Sequence, residues 1–283
     1  MPSIYTLNHG AVEKERQRLD FQHVVFKAIM RDDLPPVIWL HLKSLPAPRV
    51  ADADTGTGIS LEEFAPKLAK EAQLDGFDIH TKKSHDPASL PANAKLQYGN
   101  VLELFPKEYL GTYDSVHVKL PYAVLKKHEW LLAVKNLKTL LKPDGYMFWF
   151  EIGAYGYASN PYSAALHEWK SIESAEAVKF GRGPMCPVLL PSQFQEAGLQ
   201  QVDEKVFVTL GRPDLTPVIT RVALKYLAQS LNGLLLLDKE GSPGLIESGV
   251  KSLVEMVTKE TENGVEVSTN LLHWVWGQNS SSS

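Results

Sequence analysis

Cysteine is nearly missing: Cys186 is the one thiol in 283 residues. No internal disulfide can form, and a zinc site built on several cysteines is excluded. Cys186 itself is expected as a small buried or loop residue. Long apolar runs are missing too. Leu234 to Leu237 is far too short to span a bilayer, and no apolar signal core opens the sequence. The chain is therefore expected to be cytoplasmic, with no membrane partner. Neither sign of charge dominates. A formal net charge of -4 gives no electrostatic reason to expect a nucleic-acid partner. What remains, 44% apolar residues over this length, suits one large α/β domain or such a domain with a helical cap.

The densest signal lies at Val50-Ala51-Asp52-Ala53-Asp54-Thr55-Gly56-Thr57-Gly58-Ile59. It reads as a buried strand, a Gly-rich turn and a helix start. A second strand-like run, Gln73 to Ile79, carries Asp78 near its end. A strand, a Gly-rich turn and an acid about twenty residues on form the nucleoside-binding geometry of open α/β sheets. The glycines allow close backbone approach, and the acid accepts hydrogen bonds from ribose hydroxyls. A dinucleotide fold would need a third glycine three residues past Gly58. Leu61 stands there, which argues against a nicotinamide cofactor. Asp54 occupies the place where such turns usually carry their first glycine.

Apolar spacing predicts helices over 13–30, 59–71, 129–141, 161–178, 216–237 and 243–261. Strands are expected at 49–53, 73–79, 95–99, 115–120, 146–151, 201–210 and 265–276. Lys142-Pro143-Asp144-Gly145 ends one helix and turns the chain. Strands alternating with helices imply right-handed crossovers and a mainly parallel sheet. The two late strands, separated by helices, fit an antiparallel hairpin on one edge.

These motifs, in this order, resemble the class I S-adenosylmethionine (SAM) methyltransferases, and more narrowly those of fungal secondary-metabolite pathways. The resemblance rests on Tyr5-Thr6-Leu7 with Glu15, Arg18-Leu19 and Gln22-His23, on the 50–59 turn, and on Asp75 to Ile79. It also covers Tyr113 to Val118 and Leu141 to Tyr146. It is good from residue 5 to about 151 and loose afterwards. It implies a Rossmann-like α/β fold, a mostly parallel seven-stranded sheet with an antiparallel edge hairpin and an N-terminal helical lid. Residues 1–45 would form that lid. Residues 46–283 would form the SAM-binding domain, with helical insertions near 153–190 and 212–262.

The resemblance also implies site roles. SAM is the expected cofactor, with its amino-acid end near the Gly-rich turn, where backbone amides at a helix N-terminus favour an anionic group. Asp52, Asp54, Gly56 and Gly58 would surround it, Asp78 and Ile79 would hold the ribose, and Asn100 with Val101 would read the adenine. The bland alternative for Asn100 is a turn or helix cap. Methyl transfer from a sulfonium mainly requires alignment, with a base where the acceptor carries a proton. His23, Lys119 and Glu151 are the catalytic candidates. His117, inside a strand, is expected to be structural. Tyr122, Tyr155, Tyr157 and Trp169 are expected to line the pocket of a small-molecule substrate, with ordinary packing as the alternative. Metal is not expected: His80, His85 and Asp86 lack a recognised ligand spacing, and His128-Glu129 lacks the second zincin histidine.

Asp54 leaves alternatives open. The turn adjusts with Asp54 pointing outward and SAM binding retained, SAM binds weakly, or the site no longer serves methyl transfer. The leading reading is a SAM-dependent methyltransferase acting on a natural product. Its rivals are a repurposed cyclase or rearrangement enzyme and a non-catalytic regulator. The sequence leaves the oligomeric state open.

Overall fold

The computed structural model describes residues 12–80, 90–152, 157–183, 185–237, 246–269 and 271–280. In chain order the elements are α1 (Val12–Met30), α2 (Pro36–Ser44), β1 (Arg49–Ala53), α3 (Ile59–Phe64), β2 (Gln73–Asp78), β3 (Ala94–Tyr98), β4 (Tyr113–Lys119), α4 (Trp130–Lys138) and β5 (Leu141–Ile152). They continue with β6 (Tyr157–Asn160), α5 (Ala164–Lys179), α6 (Cys186–Glu196), β7 (Gln200–Phe207), α7 (Thr216–Leu237), α8 (Glu247–Glu262), β8 (Glu266–Thr269) and β9 (Leu272–Gln278). No helix among the described residues is long and apolar enough to cross a membrane.

Seven strands form one sheet in the order β3-β2-β1-β4-β5-β9-β7. The first five pair in parallel, while β9 runs antiparallel to both β5 and β7. The chain leaves β1 toward β2 on one side and later adds β4 on the other. That reversal is a topological switch point, and it opens a crevice beyond the carboxyl ends of β1 and β4.

Both faces of the sheet are covered, and Tyr146 to Phe150 of β5 reads as a continuous apolar run for that reason. In β5, Tyr146, Phe148 and Phe150 enter one cluster with Phe26, Trp39 and Trp274. The alternate residues Met147 and Trp149 enter the other with Trp130 and Phe194. Trp149 stacks on Trp130, and Phe26 meets Phe150 edge-on at 5.4 Å.

Several elements differ from expectation; the turn expected at Lys142 to Gly145 lies inside β5, and α4 already ends at Lys138. The helix after the Gly-rich turn stops at Phe64, because Pro66 lacks the N–H that would continue it; a 3₁₀ turn follows at Ala65–Lys67. The expected strand over 265–276 is two strands. β8 pairs with β6 in a separate two-stranded sheet, and Leu271, at φ 59°, bends the chain into β9. α6 forms despite Pro187 and Pro191; Pro187 lies in the first turn, where no N–H partner is lost. Finally, α1, expected as a lid, packs on the sheet. Val25, Phe26, Ile29 and Met30 are buried in the same cluster as the sheet.

Candidate active site

The crevice beyond β1 and β4 is the mouth of one large cavity. The turn 54–57, the ends of β2, β4 and β5, the first half of α1, and inward faces of α5 and α7 line it. The turn is built as its residue types demand. Asp54, Gly56 and Gly58 have φ of 58°, 60° and 86°. Aspartate is among the few side chains that enter this left-handed region at modest cost. The backbone therefore accommodates Asp54. Its side chain lines the cavity instead of pointing outward, a correction to that sequence-based reading. At Gly56 an added Cβ would meet only Leu19 Cδ1, at 3.8 Å, so what forbids a side chain there is the backbone angle. Gly58 lies outside the cavity wall, facing Leu90 and Leu96.

Asp52 and His117 are cross-strand neighbours in the β1–β4 register. Their side chains meet at 2.5 Å, Nδ1 to Oδ1, and Thr55 Oγ1 donates to the other Asp52 oxygen at 2.5 Å. Asp52 is thus spent largely on fixing the turn, and His117 is buried against it. Asp78 joins the two loops: Oδ2 accepts from Gly56 N–H at 2.9 Å and Oδ1 from His80 N–H at 2.7 Å. Both oxygens retain lone pairs, and Asp78 and Ile79 line the cavity.

The three catalytic candidates converge on the same cavity. Lys119, at the end of β4, donates to His23 Nδ1 from α1. Burial lowers the Lys119 ammonium to about 8, with Asp52 opposing the shift. Burial and then Lys119 lower His23 to about 4. His23 Nε2 lies 3.0 Å from Glu63, which is bound by Lys27; Lys27 also reaches Asp33. Among the described residues, His23, Asp33 and Glu63 are close enough to share a metal ion. Lysines already occupy that position: Lys27 bridges the acids and Lys67 binds Asp33 at 2.5 Å. Glu151, fully buried near the end of β5, accepts from Tyr122 N–H, Ile152 N–H and Trp149 Nε1–H. Burial outweighs those bonds and raises its carboxyl to about 8, with the charge of Asp54 adding to the rise.

Tyr122 and Tyr157 line the cavity. Tyr155 falls outside the described residues. Trp169 does not line the cavity. It is buried behind Tyr157, stacked at 5.9 Å, with Nε1 donating to Ser230. Asn100 and Val101 are not part of the cavity wall either. Asn100 caps its own turn, accepting from Leu102 N–H and donating to Glu103. Val101 packs against the core. Glu173 and Tyr226, which sequence reasoning missed, complete the wall from α5 and α7.

The parallel 3-2-1-4-5 order, the antiparallel β9 inserted before β7, and a Gly-rich turn paired with Asp78 at the switch point define a class I SAM-dependent methyltransferase. Two curated relatives agree. The chain is 31% identical over 260 residues to methyltransferase grgD of a Penicillium species, covering 87% of this chain and 86% of grgD. It is 28% identical over 197 residues to N-methyltransferase tcpN of Claviceps purpurea, covering 69% of each. Among solved structures, phosphoethanolamine N-methyltransferase 2 of Haemonchus contortus matches with a TM-score of 0.46 and 12% identity, over 94% of this chain and 52% of that one. No family model matches. The chain belongs to the fungal secondary-metabolism methyltransferase family represented by grgD.

Proposed function

We propose that the cavity holds SAM against the 54–57 turn and Asp78, and that Glu151 receives the proton released by an acceptor bound on the Tyr122–Tyr157 side. The fit to SAM rests on the donor set. The turn follows a positive-φ path at the switch point, Asp78 has unused lone pairs, and Lys119 offers a cation that burial holds near neutrality. When bound, SAM supplies a sulfonium-borne methyl group. The protein's own contribution is alignment and proton removal. Asp78 and Glu151 both line the cavity, and the His23–Lys119 pair ties α1 to the end of β4.

The observation that carries the reading is Glu151: a fully buried carboxyl in the cavity wall, at about 8, matched to accept a proton near neutral pH. The relative tcpN is named an N-methyltransferase, which supports a nitrogen acceptor here. The test is incubation with methyl-labelled SAM and a panel of aromatic amines and amides, read by mass spectrometry. Labelled product, lost in Glu151→Gln, supports the reading. Consumption of an acceptor without label supports the cyclase instead.

A further inference from the structure

We propose that Glu173 and the Tyr157 hydroxyl, framed by the rings of Tyr122 and Tyr226, form the acceptor-selecting subsite, which takes a cationic amine beside an aromatic ring. This rests on the methyl-transfer reading above and adds to it the residues that choose the substrate.

Three stretches of the chain meet here: the turn after β4, the consecutive elements β6 and α5, and α7. Tyr157 is 5% exposed, and its hydroxyl has no hydrogen-bond partner among the described residues. Leaving a buried hydroxyl unpaired is costly, so a wall residue in this state is matched to a ligand that pairs with it. The ring is held in place. Trp169 stacks behind it, Tyr226 packs at 6.1 Å, and Lys170 Nζ donates to the Tyr157 carbonyl at 2.5 Å.

Glu173 is likewise positioned, accepting from the Tyr226 hydroxyl. The charged groups facing it are Lys170 on its own helix and Arg182 beyond it, while Arg18 of α1 faces Tyr157. Burial prevails over these cations and raises Glu173 to about 7. An acid that burial holds against ionisation, among three tyrosine rings, gains most from a ligand bringing its own positive charge. The tyrosine faces accept a flat ring beside that charge. A purely structural Glu173–Tyr226 pair would hold α5 to α7 but would not discriminate between ligands.

The probes are phenethylamine and its neutral isostere 2-phenylethanol, titrated by ligand-observed NMR on the full chain, with and without S-adenosylhomocysteine. The expected result is about tenfold or greater preference for the amine, the lower range for hydrogen bonds to a charged group. Glu173→Gln should abolish that preference without changing S-adenosylhomocysteine affinity, and Tyr157→Phe should weaken both probes. Equal binding of the two probes to the wild type overturns the proposal. So does a preference that survives Glu173→Gln. If Glu173→Gln does not fold, unchanged binding of both probes to Tyr157→Phe overturns it instead. Amine preference in a protein that ignores S-adenosylhomocysteine would sink the cofactor reading while leaving the subsite standing.

Discussion

Asp54 carries two separable effects, and two substitutions separate them. Its backbone sits at φ 58° and its carboxylate lines the cavity that also holds Glu151. In the free protein the left-handed angle costs an ordinary residue about 1–2 kcal/mol, and aspartate less. Asp54→Gly relieves that strain but frees the unfolded chain by about 0.5–1 kcal/mol, so net stability should move little. Binding is another matter, because strain common to free and bound states cancels. What remains is charge. A carboxylate beside an anionic ligand group costs about 1 kcal/mol at 4 Å in water and more in a partly buried site. Asp54→Asn, which tolerates the same φ, removes only the charge. Both variants should therefore bind S-adenosylhomocysteine about 5–10-fold more tightly by calorimetry, equivalent to about 1–1.4 kcal/mol. Glu151 should also titrate lower once the Asp54 charge is gone. Weaker binding in both variants would refute the reasoning and show Asp54 contacting a cationic part of the ligand. A gain in Asp54→Gly alone would assign the effect to the backbone.

Other outcomes follow from packing and burial. Phe26→Ala should cost about 3–5 kcal/mol in denaturant unfolding, because the ring is buried against Phe150. Deleting α1 should unfold the domain; a folded, inactive truncation would restore the lid picture. Glu151 is raised from 4.5 to about 8, so its stabilising contribution is fully present below about 4.5 and is lost as pH rises through about 8. Thermal melts of Glu151→Gln should fall less steeply than wild type across that window, by up to about 1.4 kcal/mol per pH unit. Methyl transfer should rise with pH toward 8 as Glu151 ionises, and a flat profile would remove it as the base.

The parts of the site legible in the sequence are those that one strand and its following turn determine alone. Tyr146 to Phe150 is apolar on both faces because both sides of the sheet are covered, and Val50, Ala51 and Ala53 flank Asp52 ahead of the Gly-rich turn, so both stretches read as central strands. Asp78 and Glu151 were legible as acids near the carboxyl ends of such strands. What failed depended on partners distant in sequence. Trp169 and Tyr157 look alike in sequence, yet one turns into the core and the other into the cavity. Glu173 sits in a helix whose sequence, Ser171 to Glu176, reads as solvent-facing. Its role emerges only when Tyr226, 53 residues later, folds over it. Asn100 had the right position after β3, but a local cap satisfies its amide first. α1 misled because Arg18, Leu19, Gln22 and His23 in its middle line the cavity while Val25, Phe26, Ile29 and Met30 enter the core.

The central claim is that the switch-point cavity is a SAM site anchored by Asp78. Calorimetric titration of S-adenosylhomocysteine into wild type, Asp78→Asn and Asp78→Ala tests it most directly. The account predicts one saturable site in the wild type. In Asp78→Ala, affinity should fall by roughly 1.5–3 kcal/mol, the range for hydrogen bonds to a charged group, and Asp78→Asn should fall between. No binding to the wild type, or undiminished affinity in a folded Asp78→Ala protein, would contradict it.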